Sequence, residues 1–202
     1  MKALFNCLYS QLLLSVIILM MTMGCTSIPS KVDPDFHKSG TKLIAVLPVN
    51  NHTNDAKAAQ ILRQKVFNEL YFKGYPKIPL ELIDAKLSKV YEGYADYKRE
   101  NLSPKAVGEL LGVDAVLYAT LHECSTSFTY VYAPIHVSVV FELRSAKTGG
   151  TLWSSRYGTV KRNYGLSREQ LEMESYQAYE PAIQEVVDKA MKTLPDFPDP
   201  VT

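Results

Sequence analysis

The sequence predicts an α/β (α+β) domain, a mixed sheet with helices packed on it, in the order β-α-β-α-α-β-β-β-α. Three observations carry this. Leu43-Ile44-Ala45-Val46-Leu47-Pro48-Val49 is a continuous apolar run, the pattern of a strand buried on both faces. From Ala56 to Lys73, apolar residues recur every three or four positions, the period of a helix with one buried face. From Ile135 to Arg144 the period changes to two, with Val137, Val139, Phe141 and Leu143 on one face. Strand and helix alternation in the first half implies parallel strands joined by helical crossovers. Successive strands in the second half imply an antiparallel meander.

The elements follow in order from Lys42. Pro48 ends the ladder of the first strand, and the polar loop Asn50-Asn51-His52-Thr53-Asn54 follows it. Asn54 or Asp55 caps the first helix, whose apolar face is Ala58, Ile61, Leu62, Val66, Phe67 and Leu70. Gly74 stops it. Ile78–Ile83 reads as a short second strand, placed at an edge by Pro79. Asp84 then caps a helix through Leu87, Val90, Tyr91 and Tyr94. Ser103-Pro104 is a helix start, with proline at the first helical position, and Gly112 ends that helix. A strand from Asp114 continues towards Tyr130. Lys147-Thr148-Gly149-Gly150 is the turn between Ile135–Arg144 and Thr151–Lys161. Ser167-Arg168-Glu169-Gln170 is a capping box opening a final helix that Pro181 kinks or restarts.

The two ends of the chain differ from this domain. Residues 1–24 hold 17 apolar residues and a single charge, Lys2. The apolar core from Leu12 to Met21 is about ten residues, short of the ~20 needed to span hydrocarbon, and reads as an export signal. Thr22-Met23-Gly24-Cys25 resembles the lipobox of bacterial lipoproteins. The resemblance implies cleavage before Cys25, acylation of its thiol, and attachment to outer-membrane lipid, since no aspartate follows it. Multiple acyl chains anchor stably where one does not. Residues 25–41, rich in Ser, Pro and Gly, are expected to be a flexible lipidated tether holding the domain clear of the bilayer. The domain covers residues 42–194, and 195–202 form a C-terminal tail.

Composition narrows the chemistry. The chain has 22 basic and 21 acidic residues, and without residues 1–24 the balance is 21 to 21. No polybasic field for nucleic acid exists in that count. Cys7 leaves with the signal and Cys25 is acylated, so Cys124 has no partner for an intramolecular disulfide and is expected to be buried. No nucleophile elbow, zinc-protease helix motif, phosphate loop or dinucleotide fingerprint occurs. His122, Cys124 and His136 lie on neighbouring strands without metal-ligand spacing, so no metal, no cofactor and no catalytic residue is assigned. Asn50, Asn51, His52 and Thr53 form the best-placed polar loop for a small ligand, at the C-terminal end of a strand. Those residues are also ordinary turn and cap formers.

Aromatic residues give the remaining signal. Phe128, Tyr130 and Tyr132, with Pro134, crowd the tip between two strands, where polar residues are usual. Tyrosine combines contact area with a polar handle, so these four residues are the expected partner surface.

Three stretches resemble known families. Ile44-Ala45-Val46-Leu47-Pro48-Val49-Asn50-Asn51-His52-Thr53 resembles the opening strand and loop of CsgG-like outer-membrane lipoproteins and of the TolB amino-terminal domain. Leu111-Gly112-Val113-Asp114-Ala115-Val116-Leu117 looks like their next strand start, and Lys147-Thr148-Gly149-Gly150-Thr151-Leu152-Trp153 like their "T-G-x-v-L-W" turn. Together they resemble a family of lipoproteins of unknown function whose members accompany a CsgG-like lipoprotein. The resemblance implies a periplasm-facing scaffold that assists assembly of an envelope or secretion complex. The connections at Thr126–Pro134 and Lys147–Gly150 are too short for membrane-spanning hairpins. The expected partners are outer-membrane lipid through Cys25, a CsgG-like or other envelope lipoprotein, and a second copy in a homodimer. The alternative is an auxiliary lipoprotein of lipid or solute transport that binds a small apolar ligand.

Overall fold

The computed structural model describes residues 28–91 and 103–197. The export signal, Cys25 and Tyr94 lie outside the described residues. The elements are β1 (Ile28–Val32), a 3-10 turn (Phe36–Ser39), β2 (Ile44–Val46), β3 (Asn50–Asn51), α1 (Ala56–Phe72), α2 (Leu80–Tyr91), α3 (Pro104–Leu111), β4 (Ala115–Thr126), β5 (Tyr132–Ser145), β6 (Thr151–Tyr164) and α4 (Arg168–Met191).

The six strands form one mixed sheet in the order β1-β6-β5-β4-β2, with β3 continuing beside β4. β2 and β3 run parallel to β4, and the crossover between them is the helical segment α1-α2-α3. β4, β5, β6 and β1 are antiparallel neighbours. The expected fold class is present, with three elements changed: Asn50–Asn51, expected as loop, pair with β4 as β3, and two further elements differ.

Ile78–Ile83 is not a strand. Leu80 begins α2, and the N–H groups of Leu82 and Ile83 both donate to the Pro79 carbonyl. Leu80, Ile83 and Leu87 share one face at helical spacing, and Ile83 and Leu87 bury against Ala45, Leu47 and Val116. Pro79 starts a helix where an edge strand was expected, because its missing N–H costs nothing in a first turn. The third change is at the N-terminus. Residues 28–32 pair with β6 as an edge strand, and Phe36 is buried in the main core. The stretch read as a free tether is folded onto the domain from Ile28 onwards.

Two cores flank the sheet. α1 and α4 cover one face with Leu62, Val66, Leu70, Ile183, Val186 and Val187 over Leu117, Leu121, Val139, Phe141 and Trp153. α2 and α3 cover only the β2 end of the other face. Polar side chains fix the joins. Asp114 accepts the N–H groups of Lys42 (3.1 Å) and Leu43 (3.0 Å), setting the start of β2 beside β4. Arg63 donates to the Val46 carbonyl (3.0 Å) and to Asp84 (2.8 Å), tying α1 to both β2 and α2. α4 runs unbroken through Pro181. Pro195–Phe197 also pack onto the domain: Tyr75 is buried, donates its hydroxyl to the Pro195 carbonyl (3.0 Å), and meets the Phe197 ring edge-on.

Candidate functional site

Register decides which side chains share the uncovered half of the sheet. Beside the strip held by α2 and α3, the face opposite α1 and α4 carries Thr120, Glu123 and Ser125 of β4, His136, Ser138 and Val140 of β5, and Arg156, Gly158, Val160 and Arg162 of β6. Directly opposed pairs are Val140 with Arg156, Ser138 with Gly158 and His136 with Val160. Val160 is 44% exposed, and Arg156, Gly158 and Arg162 are exposed. The centre is flat because glycine, serine and threonine project little, and two arginines stand at its margin. Val140 and Val160 therefore stand among polar and charged side chains on a face that no described helix covers.

A bulge in β4 separates the candidate metal ligands. The register slips between Leu121 and Glu123, so His122 is an extra residue. His122 and Glu123 are exposed, while Cys124 is buried against the α4 side beside Tyr179. His122 meets the His52 ring edge-on at 5.3 Å instead. Among the described residues, no group of three or more His, Cys, Asp or Glu could hold a metal ion.

The Asn50–Thr53 loop is largely occupied with its own fold. Asn51 accepts from the N–H (2.9 Å) and hydroxyl (2.7 Å) of Thr53 and donates to the Asp55 carbonyl (3.0 Å). Asp55 caps α1 by accepting the Ala58 N–H (2.9 Å), and its other oxygen accepts the Tyr179 hydroxyl. Burial pushes the Asp55 carboxyl up, but the bonds from Tyr179 and from the first-turn N–H groups outweigh it and hold it below its ordinary value. Burial, then the bond to Asp55, raises Tyr179. Burial raises the Cys124 thiol, which therefore stays protonated and poorly nucleophilic. Burial lowers His122, with Arg156 and His52 adding to the effect. A cleft of about 570 Å³ lies between residues 53–56 and 122–125.

The aromatic tip is reshaped by pairing. Thr129 closes the β4–β5 hairpin with its N–H on the Tyr132 carbonyl (2.8 Å). Tyr130 is 98% exposed, whereas Phe128 lies under the Arg168 guanidinium at 4.5 Å. Tyr132 packs on Tyr164 of β6, ring centroids 5.1 Å apart. Pro134 is buried within β5, opposite Arg162, and takes no part in the surface. Tyr164 and Leu166, which sequence reasoning missed, join the same end: the Gly165 N–H donates to the Val131 carbonyl (3.1 Å).

The family model of GNA1162-like lipoproteins matches residues 33–197, all of the described chain after β1. This chain belongs to the GNA1162-like lipoprotein family. Among solved structures, the GNA1162-like fold here is similar to lipoprotein GNA1162 from Neisseria meningitidis, with a TM-score of 0.54, 22% identity, and coverage of 67% of this chain and 93% of that one. A PelC dodecamer from Paraburkholderia phytofirmans superposes with a TM-score of 0.47 and 16% identity over 81% of this chain and 95% of that one. The LpoB C-terminal domain from Escherichia coli gives 0.43 and 17% over 63% and 94%. Among curated proteins nothing matches the chain. These likenesses concern the fold, and the chemistry of this GNA1162-like protein rests on its own residues.

Proposed function

We propose that this protein is a lipid-anchored, periplasm-facing scaffold of the outer membrane that holds a CsgG-like envelope lipoprotein on the open face of its sheet. One observation carries the reading: α1 and α4 bury one face of β4-β5-β6, while Val140, Val160, Ser138 and Gly158 on the other have no described helix over them. A half-covered antiparallel sheet is stable in water when its outer face is polar. Here Val140 and Val160 supply apolar contact area among polar and charged neighbours, Glu123, Ser138 and Arg156 included, a mixed surface that suits contact with another protein.

The side chains with shifted protonation serve structure. Both Asp55 oxygens accept bonds that join α1 to α4, and the Cys124 thiol is buried. The transport reading has two footholds among the described residues, the cleft beside Asp55 and His122 and one of about 690 Å³ between α1 and α4 beside Ile61, Tyr176 and Tyr179. The space between sheet and helices is filled by core side chains, so an apolar ligand has no preformed room there.

Val160→Glu tests the scaffold. Placed at the centre of the open face, the carboxylate is expected to abolish capture of a CsgG-like lipoprotein from solubilised envelopes while leaving the melting temperature unchanged. Undiminished capture would contradict the assignment. A bound lipid released from the purified protein would favour the transport alternative.

A further inference from the structure

β1 fixes where on the molecule an acylated Cys25 is held. Ile28 pairs with Arg156, near the middle of the 14-residue β6. Only Thr26 and Ser27 separate Ile28 from Cys25. At no more than ~3.3–3.6 Å per residue, Cys25 lies within about 10 Å of Ile28. From Arg156, β6 runs on for about 26 Å to Tyr164 and about 17 Å back to Thr151. Both lengths exceed the leash. With the strands upright, Cys25 reaches the bilayer only if one end of β6 passes below the headgroups. The Tyr164 end would take Lys161 and Arg162 towards hydrocarbon, and the Thr151 end would take Lys147. An acylated Cys25 therefore holds the strands along the membrane surface.

Rotation about the strand direction remains, and three sides compete. With the helices downward, α1 and α4 put a layer of about 10–12 Å between Ile28 and the bilayer, which uses up the leash. The open face sets Glu123 among its arginines. The β1–β6 edge is different. Lys31 and Val32 are exposed on β1 itself. α4 lies alongside: the Trp153 ring N–H donates to the Thr193 hydroxyl (3.0 Å), and the Thr159 hydroxyl donates to Glu185 (3.2 Å). Lys189 and Lys192, both exposed, lie within that stretch of α4 and its end. Gln184 donates to Glu69 of α1, so Glu185 and Lys189 take the other flank of the helix, towards β1. Glu185 is paired with Lys161, and the Asp33 carboxylate accepts the Asp35 N–H (2.8 Å). Lys31, Lys189 and Lys192 leave this edge positively charged, which favours anionic phospholipid headgroups.

We propose that the β1–β6 edge, bearing Lys31, Lys189 and Lys192, lies on the headgroup layer of the phospholipid bilayer into which Cys25 is acylated. This rests on the acylation of Cys25, and the test separates the two. The short leash holds the edge at the surface, so weak charge contacts suffice, as in any intramolecular second binding step. The sheet then stands on its edge, and the open face looks along the membrane plane, where a protein partner reaches it.

The full acylated chain is reconstituted in vesicles of phosphatidylethanolamine and phosphatidylglycerol that include a lipid with a nitroxide on its headgroup. A thiol-reactive fluorophore is attached in separate preparations through Val32→Cys on the edge, Ser125→Cys on the open face and Gln64→Cys on the outer side of α1. All three positions are exposed, so the substitutions spare the fold, which circular dichroism checks. Unsubstituted protein sets the background from buried Cys124. The nitroxide is expected to quench the label at 32 and to leave those at 125 and 64 bright. Quenching at 125 as strong as at 32 overturns the proposal in favour of the open face, and equal quenching at 64 overturns it in favour of the helices. No quenching at 32, in protein that has incorporated labelled palmitate, overturns the edge and leaves acylation standing. Absence of palmitate incorporation removes the acylation reading and the proposal with it.

Discussion

Asp55 is where a single residue does most to hold the helical layer in place. Its two oxygens cap α1 and receive the Tyr179 hydroxyl of α4. Replacing it with alanine is expected to cost about 1–2 kcal/mol from the lost cap, with a further loss from the unpaired hydroxyl. Asparagine can still cap the helix and should cost less. The pH dependence follows from the lowered pKa. The stabilisation is complete above the unfolded value near 3.8 and is lost as pH falls from there through the folded value. Chemical denaturation of the Asp55→Asn variant between pH 3 and 6 is therefore expected to show a flatter acid limb than the natural protein. An unchanged limb would show that Asp55 does not carry it. Tyr75→Phe removes one buried hydrogen bond to Pro195 and should lower stability by about 1 kcal/mol, read as a lower melting temperature.

Among the elements, α3 shows how closely the layers approach. Gly108 faces Ala146 so tightly that an added Cβ would lie 2.4 Å from the Ala146 Cβ. Gly108→Ala, which improves helix propensity by about 1 kcal/mol in open helices, is expected to destabilise by about 1–3 kcal/mol here. Adding Ala146→Gly should restore part of the loss, and thermal unfolding of the three variants decides it.

The regular elements were legible where local chemistry and tertiary packing agree. Asp55, Ser103-Pro104, Gly149 and Ser167 sit where a cap or a turn was read from the residues. β1 was hidden because an edge strand with Pro29 and Ser30 needs only one partner and no alternating apolar face. Only the first turn of α2 was hidden, because Ile78–Ile83 is apolar at both periods and the α2–α3 core against Val116 selects the helix; Asp84, expected as its cap, lies inside it and accepts from Arg63 instead. The aromatic tip was legible as composition. Its true membership was not: the β5–β6 register adds Tyr164, Leu166 follows at the end of β6, and burial within β5 removes Pro134. The bulge at His122, which sends Cys124 inward, leaves no mark in the sequence.

At the scale of the whole molecule, three surfaces divide the work. α1 and α4 seal one sheet face, the other face of β4-β5-β6 stands open, and β1 pairs along the β6 edge. Membership in the GNA1162-like lipoprotein family fits a molecule built to be held at a membrane and to hold something else. The central claim is that the open face is the partner site in the native envelope. Its most direct test places a photo-crosslinking amino acid at Val160, on the open face, or at Gln64, on the exposed side of α1, and irradiates intact cells. A discrete adduct with a CsgG-like envelope lipoprotein is expected from position 160 and none from position 64. Adducts of equal yield at both positions, or none at position 160 in correctly localised protein, would contradict the claim.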